Sequence, residues 1–185
     1  IIFAISFIVC TGAISLIGRS LGSGSDDKAR SVFRTSCVFI TLVSLLVTIF
    51  GSIFSVNIAK LLKATDILVA DSAMYIFVIS FFAPIICNMY LTGFTTRVIG
   101  KPNQYLYGAV ASLISNVLLD YLFIGVANLG VMGAALATGI SYFIALCVCS
   151  IPLLRKSNAI NFFKGKINFK LMPPVIANGS SEAVV

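Results

Sequence analysis

Three stretches almost empty of charge decide what this chain can fold into. Between Arg34 and Lys60 lie 25 uncharged residues, between Asp71 and Arg97 another 25, and between Lys101 and Arg155 lie 53 whose single charge is Asp120. As a helix rising 1.5 Å per residue, each shorter run reaches about 37 Å, enough to cross a bilayer with some tilt. A core of ordinary size cannot absorb that much apolar surface. With 59% hydrophobic and 10% charged residues and a mean hydropathy of +1.07, the 185-residue chain falls outside the range of soluble domains. The runs do not alternate apolar and polar residues as barrel strands would. The expected class is an all-α membrane protein, a polytopic transmembrane helix bundle.

The breaks between the runs set the expected elements. The 53-residue run is interrupted at Asn128-Leu129-Gly130, which reads as a tight turn between two crossing helices. The expected helices cover about 1–18, 32–59, 69–95, 104–127 and 131–154, followed by a polar loop at 155–170 and the start of another helix at 171–185, entered through Pro173-Pro174. The sequence starts without methionine inside one apolar stretch and ends in another, so it reads as part of something longer. Pro84 lies within the helix expected over 69–95, where the missing N–H should produce a kink. Small residues four apart, Gly108 with Ser112 and Gly133 with Ala137, should let helices approach closely. The segment from Asn161 to Lys170 mixes phenylalanines with lysines and is expected to lie along the membrane interface.

Charge sets the orientation. One set of alternate loops holds Arg19, Lys28, Arg30, Arg34, Arg97, Lys101, Arg155, Lys156, Lys164, Lys166 and Lys170, and the other holds only Lys60 and Lys63. Eleven against two places the first set in the cytoplasm and the Asn128–Gly130 turn outside. The net charge of +7 is therefore a topology signal, and no nucleic-acid partner is expected.

A charged side chain inside a bilayer costs from about 3 kcal/mol upward and by default marks a functional site facing the bundle interior. Asp120 is such a residue. Its neighbours Val117-Leu118-Leu119 and Tyr121-Leu122-Phe123-Ile124 offer no charge to neutralise it, so it calls for a proton or a bound cation. Asn116, one turn earlier on the same face, can donate to the carboxylate or offer a carbonyl to a cation. Asp120 is eight residues before Asn128 and Thr138 eight after Gly130. In an antiparallel hairpin both lie at similar depth, about 12 Å from the turn. Thr138 could equally spend its hydroxyl on its own backbone. Glu182 is the second acidic candidate, following the small residues Gly179-Ser180-Ser181.

Other patterns carry less. The cysteines (10, 37, 87, 147 and 149) sit in apolar runs, and the chain has no histidine, so neither a metal site nor a disulfide framework is expected. Gly22-Ser23-Gly24 lacks the strand, third glycine and lysine of a phosphate loop. It is expected to end one helix, with Ser25 as the N-cap and Asp26-Asp27 as the first turn of the next. Asn178-Gly179-Ser180 matches a glycosylation acceptor inside an apolar helix, a chance match. A lone intramembrane carboxylate has no nucleophile and base beside it, so neither an enzyme nor a resident cofactor is expected.

Several of these stretches resemble the multidrug and toxic compound extrusion (MATE) family of antiporters. Gly18-Arg19-Ser20-Leu21-Gly22-Ser23-Gly24, followed by Ala29, looks like the family's loop after its second helix. Asn116-Val-Leu-Leu-Asp120 and Leu129-Gly130-Val131-Met132-Gly133-Ala134-Ala135-Leu136-Ala137-Thr138 look like its fifth and sixth helices. The resemblance implies twelve helices in two six-helix lobes around a central cavity. Residues 1–154 would then be an incomplete N-terminal lobe, 155–170 the cytoplasmic loop between lobes, and 171–185 the start of the second lobe's first helix. It also implies that Asn116, Asp120 and Thr138 belong to a polar group for proton or sodium coupling and that Glu182 is an acidic residue of helix seven. The family's acidic residue on its first helix has no counterpart here.

The function so implied is proton- or sodium-coupled export of organic, cationic compounds across the cytoplasmic membrane by alternating access. The partners would be the bilayer, the coupling ion, the substrate and the remaining lobe of the same polypeptide. Aromatics such as Tyr75, Tyr90 and Tyr121 would suit a cationic substrate. Two alternatives differ in what they require. A flippase of lipid-linked oligosaccharides needs intramembrane Arg or Lys for a pyrophosphate, and a non-transporting assembly subunit needs Asp120 against a partner helix.

Overall fold

The structure is a computed structural model and describes residues 2–63, 65, 67–155 and 158–183, and their side chains apart from those of residues 2–5, 182 and 183. All regular structure among the described residues is helical: α1 (Ile2–Gly22), α2 (Asp26–Ile53), α3 (Ser55–Leu61), α4 (Val69–Phe81), α5 (Ala83–Val98), α6 (Pro102–Asp120) continuing as a π-helix (Tyr121–Val126), α7 (Gly130–Leu154), a 3-10 turn (Phe169–Leu171) and α8 (Met172–Ala183). Three helices are long and apolar enough to cross a membrane, Asp26–Ile53, Pro102–Val126 and Gly130–Leu154, and the bent pair α4–α5 makes a fourth if it counts as one span. The chain is thus an all-α, multi-pass transmembrane bundle.

The core lies where α1, α2 and α5 meet. Cys10, Ala13 and Ile17 of α1, Val32 and Phe33 of α2 and Leu91 of α5 are fully buried together, and Leu153, Ile160 and Val175 extend the cluster beneath the loop between α7 and α8. Much of the rest of the apolar surface faces outward: Leu113, Val117 and Leu118 of α6 are all exposed. Outward-facing leucines on a helix of this length are what a lipid solvent rewards.

Local chemistry explains the ends. After α1, Gly24 takes φ +71°, its N–H donates to the Leu21 carbonyl, and the Ser25 N–H reaches the Ser20 carbonyl. This is a Schellman termination, which favours glycine at the left-handed position. α2 begins at Asp26, six residues before the expected start at 32. Asp26 and Asp27 occupy its first turn and pair with Arg30 at 3.5 and 3.0 Å, where the helix dipole favours acids. Ser25 is the N-cap, but by its backbone: no side-chain cap bond forms, and its carbonyl accepts from Lys28 and Ala29. The helix expected over 32–59 also divides at Phe54, whose φ −104° and ψ 16° leave helical values.

The span expected over 69–95 bends by 53° between α4 and α5, two residues before Pro84. Proline removes the N–H that would have bonded the Ser80 carbonyl. The Thr48 hydroxyl of α2 lies 2.7 Å from that carbonyl and takes its place. In hydrocarbon a freed backbone group has to find such a partner. Asn88 braces the other side, donating to the Pro84 carbonyl and to the Thr41 hydroxyl of α2.

The loop after α7 docks on α2, while Phe163, Ile167 and Phe169 stay exposed. Ile160 and Asn161 are completely buried, and Phe162 packs on Phe33 with ring centroids 5.4 Å apart. Arg30 donates to the Ala159 carbonyl at 2.7 Å and Arg34 to the Gly165 carbonyl at 3.0 Å, while the Asn168 N–H donates to Thr35 of α2 at 3.0 Å. The first turns of α2 offer the loop's carbonyls cationic donors in Arg30 and Arg34. Gly165, at φ +116° and pressed on the Arg30 backbone, lets the loop lie this close.

Candidate functional site

The α6–α7 hairpin carries the candidate residues. Gly108 of α6 lies against Cys149 and the Ala145 carbonyl of α7, and Gly133 of α7 lies against Phe123, so both small-residue positions are points of close approach. The hairpin turns through Asn128 and Gly130, both at φ +53°. The Leu129 N–H reaches back to the Phe123 carbonyl at 2.8 Å.

Between α5, α6 and α7 opens a cavity of about 330 Å³ whose walls include Tyr90, Tyr105, Ser112, Asn116, Thr138 and Tyr142. Asn116 and Thr138, inferred to converge, do line one space. The Tyr90 and Tyr142 hydroxyls meet there at 3.4 Å, either one donating. Thr138 donates its proton to the Ala134 carbonyl at 2.9 Å, the backbone bond foreseen as the alternative for a mid-helix threonine. Its oxygen lone pairs remain free to accept.

Asp120 is the last residue of α6 before the π turn, and it is not part of the cavity wall. Its Oδ1 is buried and accepts no hydrogen bond among the described residues. A buried carboxylate oxygen left unmatched is costly, and native structures rarely hold one without a functional reason. It also sits where the helix widens, and π segments occur disproportionately at functional sites. No hydrogen bond joins Asp120, Asn116 and Thr138 to one another among the described residues.

Glu182 belongs to α8, but its side chain lies outside those described. α8 packs chiefly on α1. There Gly12 and Gly179 face each other's helix so closely that a Cβ on Gly12 would run into the Val175 carbonyl oxygen, and one on Gly179 into that of Ile8. Of the three tyrosines considered earlier, Tyr90 lines the cavity, whereas Tyr75 and Tyr121 are exposed. Tyr105 and Tyr142 were missed. Their signal was a helical repeat: Tyr105, Ser112 and Asn116 recur on one face of α6, and Thr138, Ser141 and Tyr142 on one face of α7.

Comparison with known proteins gives consistent matches. The MatE family model matches residues 1–122. The multidrug export protein MepA of Staphylococcus aureus (strain bovine RF122 / ET3-1) is 30% identical over 163 residues, covering 88% of this chain and 35% of that protein. The probable multidrug resistance protein YoeA of Bacillus subtilis (strain 168) is 26% identical over 166 residues, covering 86% and 36%. The chain therefore spans about a third of the length of these relatives. Among solved structures, the inward-facing conformation of a multidrug resistance MATE family transporter of the MOP superfamily superposes with a TM-score of 0.88 at 21% identity, over 97% of this chain and 41% of that one. MATE in a bent conformation gives 0.83 at 21%, over 98% and 42%.

Proposed function

The chain belongs to the MatE family, and from that premise we propose that it forms part of an ion-coupled antiporter exporting organic cations across the cytoplasmic membrane. The observation that carries this reading is the unmatched, buried Oδ1 of Asp120, one helical turn from an asparagine that lines a tyrosine-walled cavity. An ion-coupling carboxylate has to be neutral or cation-loaded in one state and empty in another. A side chain with a standing partner, such as an arginine, would lose that freedom.

An inward gradient of protons or sodium loads Asp120, with Asn116 and Thr138 as neutral oxygen donors nearby. Exchange between inward- and outward-open arrangements then carries substrate out. The faces of Tyr90, Tyr105 and Tyr142 suit an organic cation. A second lobe of the same polypeptide would complete the central cavity, with Glu182 a further acidic group at its entry. The protein is a carrier in this scheme, with no chemical step for an enzyme's residues to perform and no resident cofactor.

The test is ethidium efflux by the full-length protein in efflux-deficient cells, with Asp120→Asn compared at matched membrane expression and the proton and sodium gradients collapsed in turn. The expected outcome is that the variant falls to the level of cells lacking the transporter and that collapsing one gradient alone abolishes wild-type efflux. Full activity of Asp120→Asn would leave Asp120 a structural residue. Absence of efflux in the wild type would shift the reading to lipid-linked oligosaccharide flipping or to an assembly subunit.

A further inference from the structure

Tyr105 belongs to two surroundings at once. Its side chain lines the cavity of about 330 Å³ between α5, α6 and α7, and the Arg97 guanidinium stands over the same ring, its carbon 4.0 Å from the centroid. Arg97 lies in the last turn of α5 and is not itself part of the cavity wall. Two neighbours hold the ring beneath it. Phe94 stacks on Tyr105 with centroids 5.8 Å apart and lies 5.4 Å from the same guanidinium. Gly93 abuts the edge of the ring, where an added Cβ would come within 2.6 Å of Cδ2.

The charge above the ring is not cancelled by a neighbour. Among the described residues the ion pairs are those of Arg30 with Asp26 and Asp27, and the Arg97 guanidinium makes none. A cation over an aromatic ring draws on the same quadrupole that a second cation would need, and like charges in a site of moderate dielectric repel over several ångströms more. The opposite end of the cavity differs in sign. Along α6 at helical rise, Asn116 lies about 16 Å from Tyr105 and Asp120 about 22 Å. The long axis of the cavity therefore runs from a cationic end at Tyr105 toward a carboxyl beyond Asn116.

From this polarity we propose that Arg97 determines charge specificity: it holds the Tyr105 end of the cavity against positive charge, so that an organic cation binds with its charge toward Asn116 and a second cationic group is penalised. The inference rests on the cation-binding reading of the cavity given above and adds to it a residue outside the wall. Tyr105 then serves the apolar body of the substrate, while Tyr90 and Tyr142, which carry no guanidinium, serve its charge.

The probes are ethidium, with one positive charge, and propidium, the same ring system with a second quaternary ammonium on a side arm. Binding to the purified full-length protein is followed by fluorescence anisotropy, so that no gradient or transport step enters. At about 10 Å and an effective dielectric of about 20, repulsion between like charges is worth about tenfold in affinity. Arg97→Gln, and Arg97→Met as a second neutral variant, should each raise the affinity for propidium relative to ethidium by about that factor. Arg97→Lys, which keeps the charge, should hold the ratio near that of the wild type. Lys101→Gln removes the neighbouring cation, which donates to Asn158 away from the cavity wall, and should hold it too. A purely structural role for Arg97 would weaken both dyes together and leave the ratio where it was. An unchanged ratio in the neutral variants, or an equal shift in Lys101→Gln, would overturn the proposal while the cation-binding cavity stands. Failure of the wild type to bind either dye would overturn both.

Discussion

At the residue scale, Thr138 is restricted by where its proton goes. Because the hydroxyl donates to Ala134, it can only accept from the cavity side, which suits a cation or an N–H and no carbonyl. Thr138→Ser should therefore keep gradient-driven efflux, and Thr138→Val, equal in shape but without the oxygen, should lower its initial rate; ethidium efflux at matched expression measures both. Asp120, and Asn116 one turn before it, stand out as candidates because one carboxylate in 53 otherwise uncharged residues has few innocent explanations. That the cavity ends at Asn116 and does not reach Asp120 was not legible. It depends on how α5 closes against the hairpin, which spacing along α6 and α7 does not encode. Tyr105 and Tyr142 passed unnoticed for a related reason: tyrosine in a membrane helix is common, and only their shared repeat with serine and asparagine sets them apart.

At the scale of elements, the bend between α4 and α5 has two causes that can be separated. Pro84 opens the ladder, and Thr48 satisfies the carbonyl that is freed. Thr48 also lies 3.0 Å from the Ser44 carbonyl of its own helix, so its single proton is shared between the two. Thr48→Val should lower thermal stability by about 1 kcal/mol, the usual worth of an interhelical hydrogen bond in a membrane, as followed by size-exclusion chromatography after heating. Pro84→Ala combined with Thr48→Val restores the N–H and removes the brace. Full straightening of the 53° bend would lengthen the span by about 5 Å at helical rise, and spin labels near residues 70 and 98 should record an increase approaching that. The kink was readable from a single proline. Its brace was not, because Thr48 is a mid-helix threonine whose partner lies on another helix.

At the scale of the whole molecule, the loop between α7 and α8 is part of the fold. Asn161 is fully buried, and its Oδ1 accepts from the N–H groups of Phe163 and Lys164 at 3.2 and 2.9 Å. Asn161→Ala removes both of these bonds and leaves a gap at a fully buried position, which should loosen the loop. The wild type should resist trypsin at Lys164 and Lys166, and Asn161→Ala should be cut there while α2 and α7 stay intact; equal resistance would show that the loop holds without Asn161. The helical class and the membrane setting were readable from the uncharged runs, because length and hydropathy alone decide them. The docking of this loop was not, since it depends on backbone carbonyls meeting Arg30 and Arg34, more than a hundred residues away in sequence.

That docking has a mechanical consequence. Asn168 is fastened to Thr35, and the chain passes at once through the turn at Phe169–Leu171 into α8, leaving no slack between anchor and helix. α8 is thus on a leash of zero length, tied to α2 at its start and wedged glycine to glycine against α1 along its side. It travels with these two helices as cargo, and any swing of it away from them requires both the fastening and the wedge to let go together.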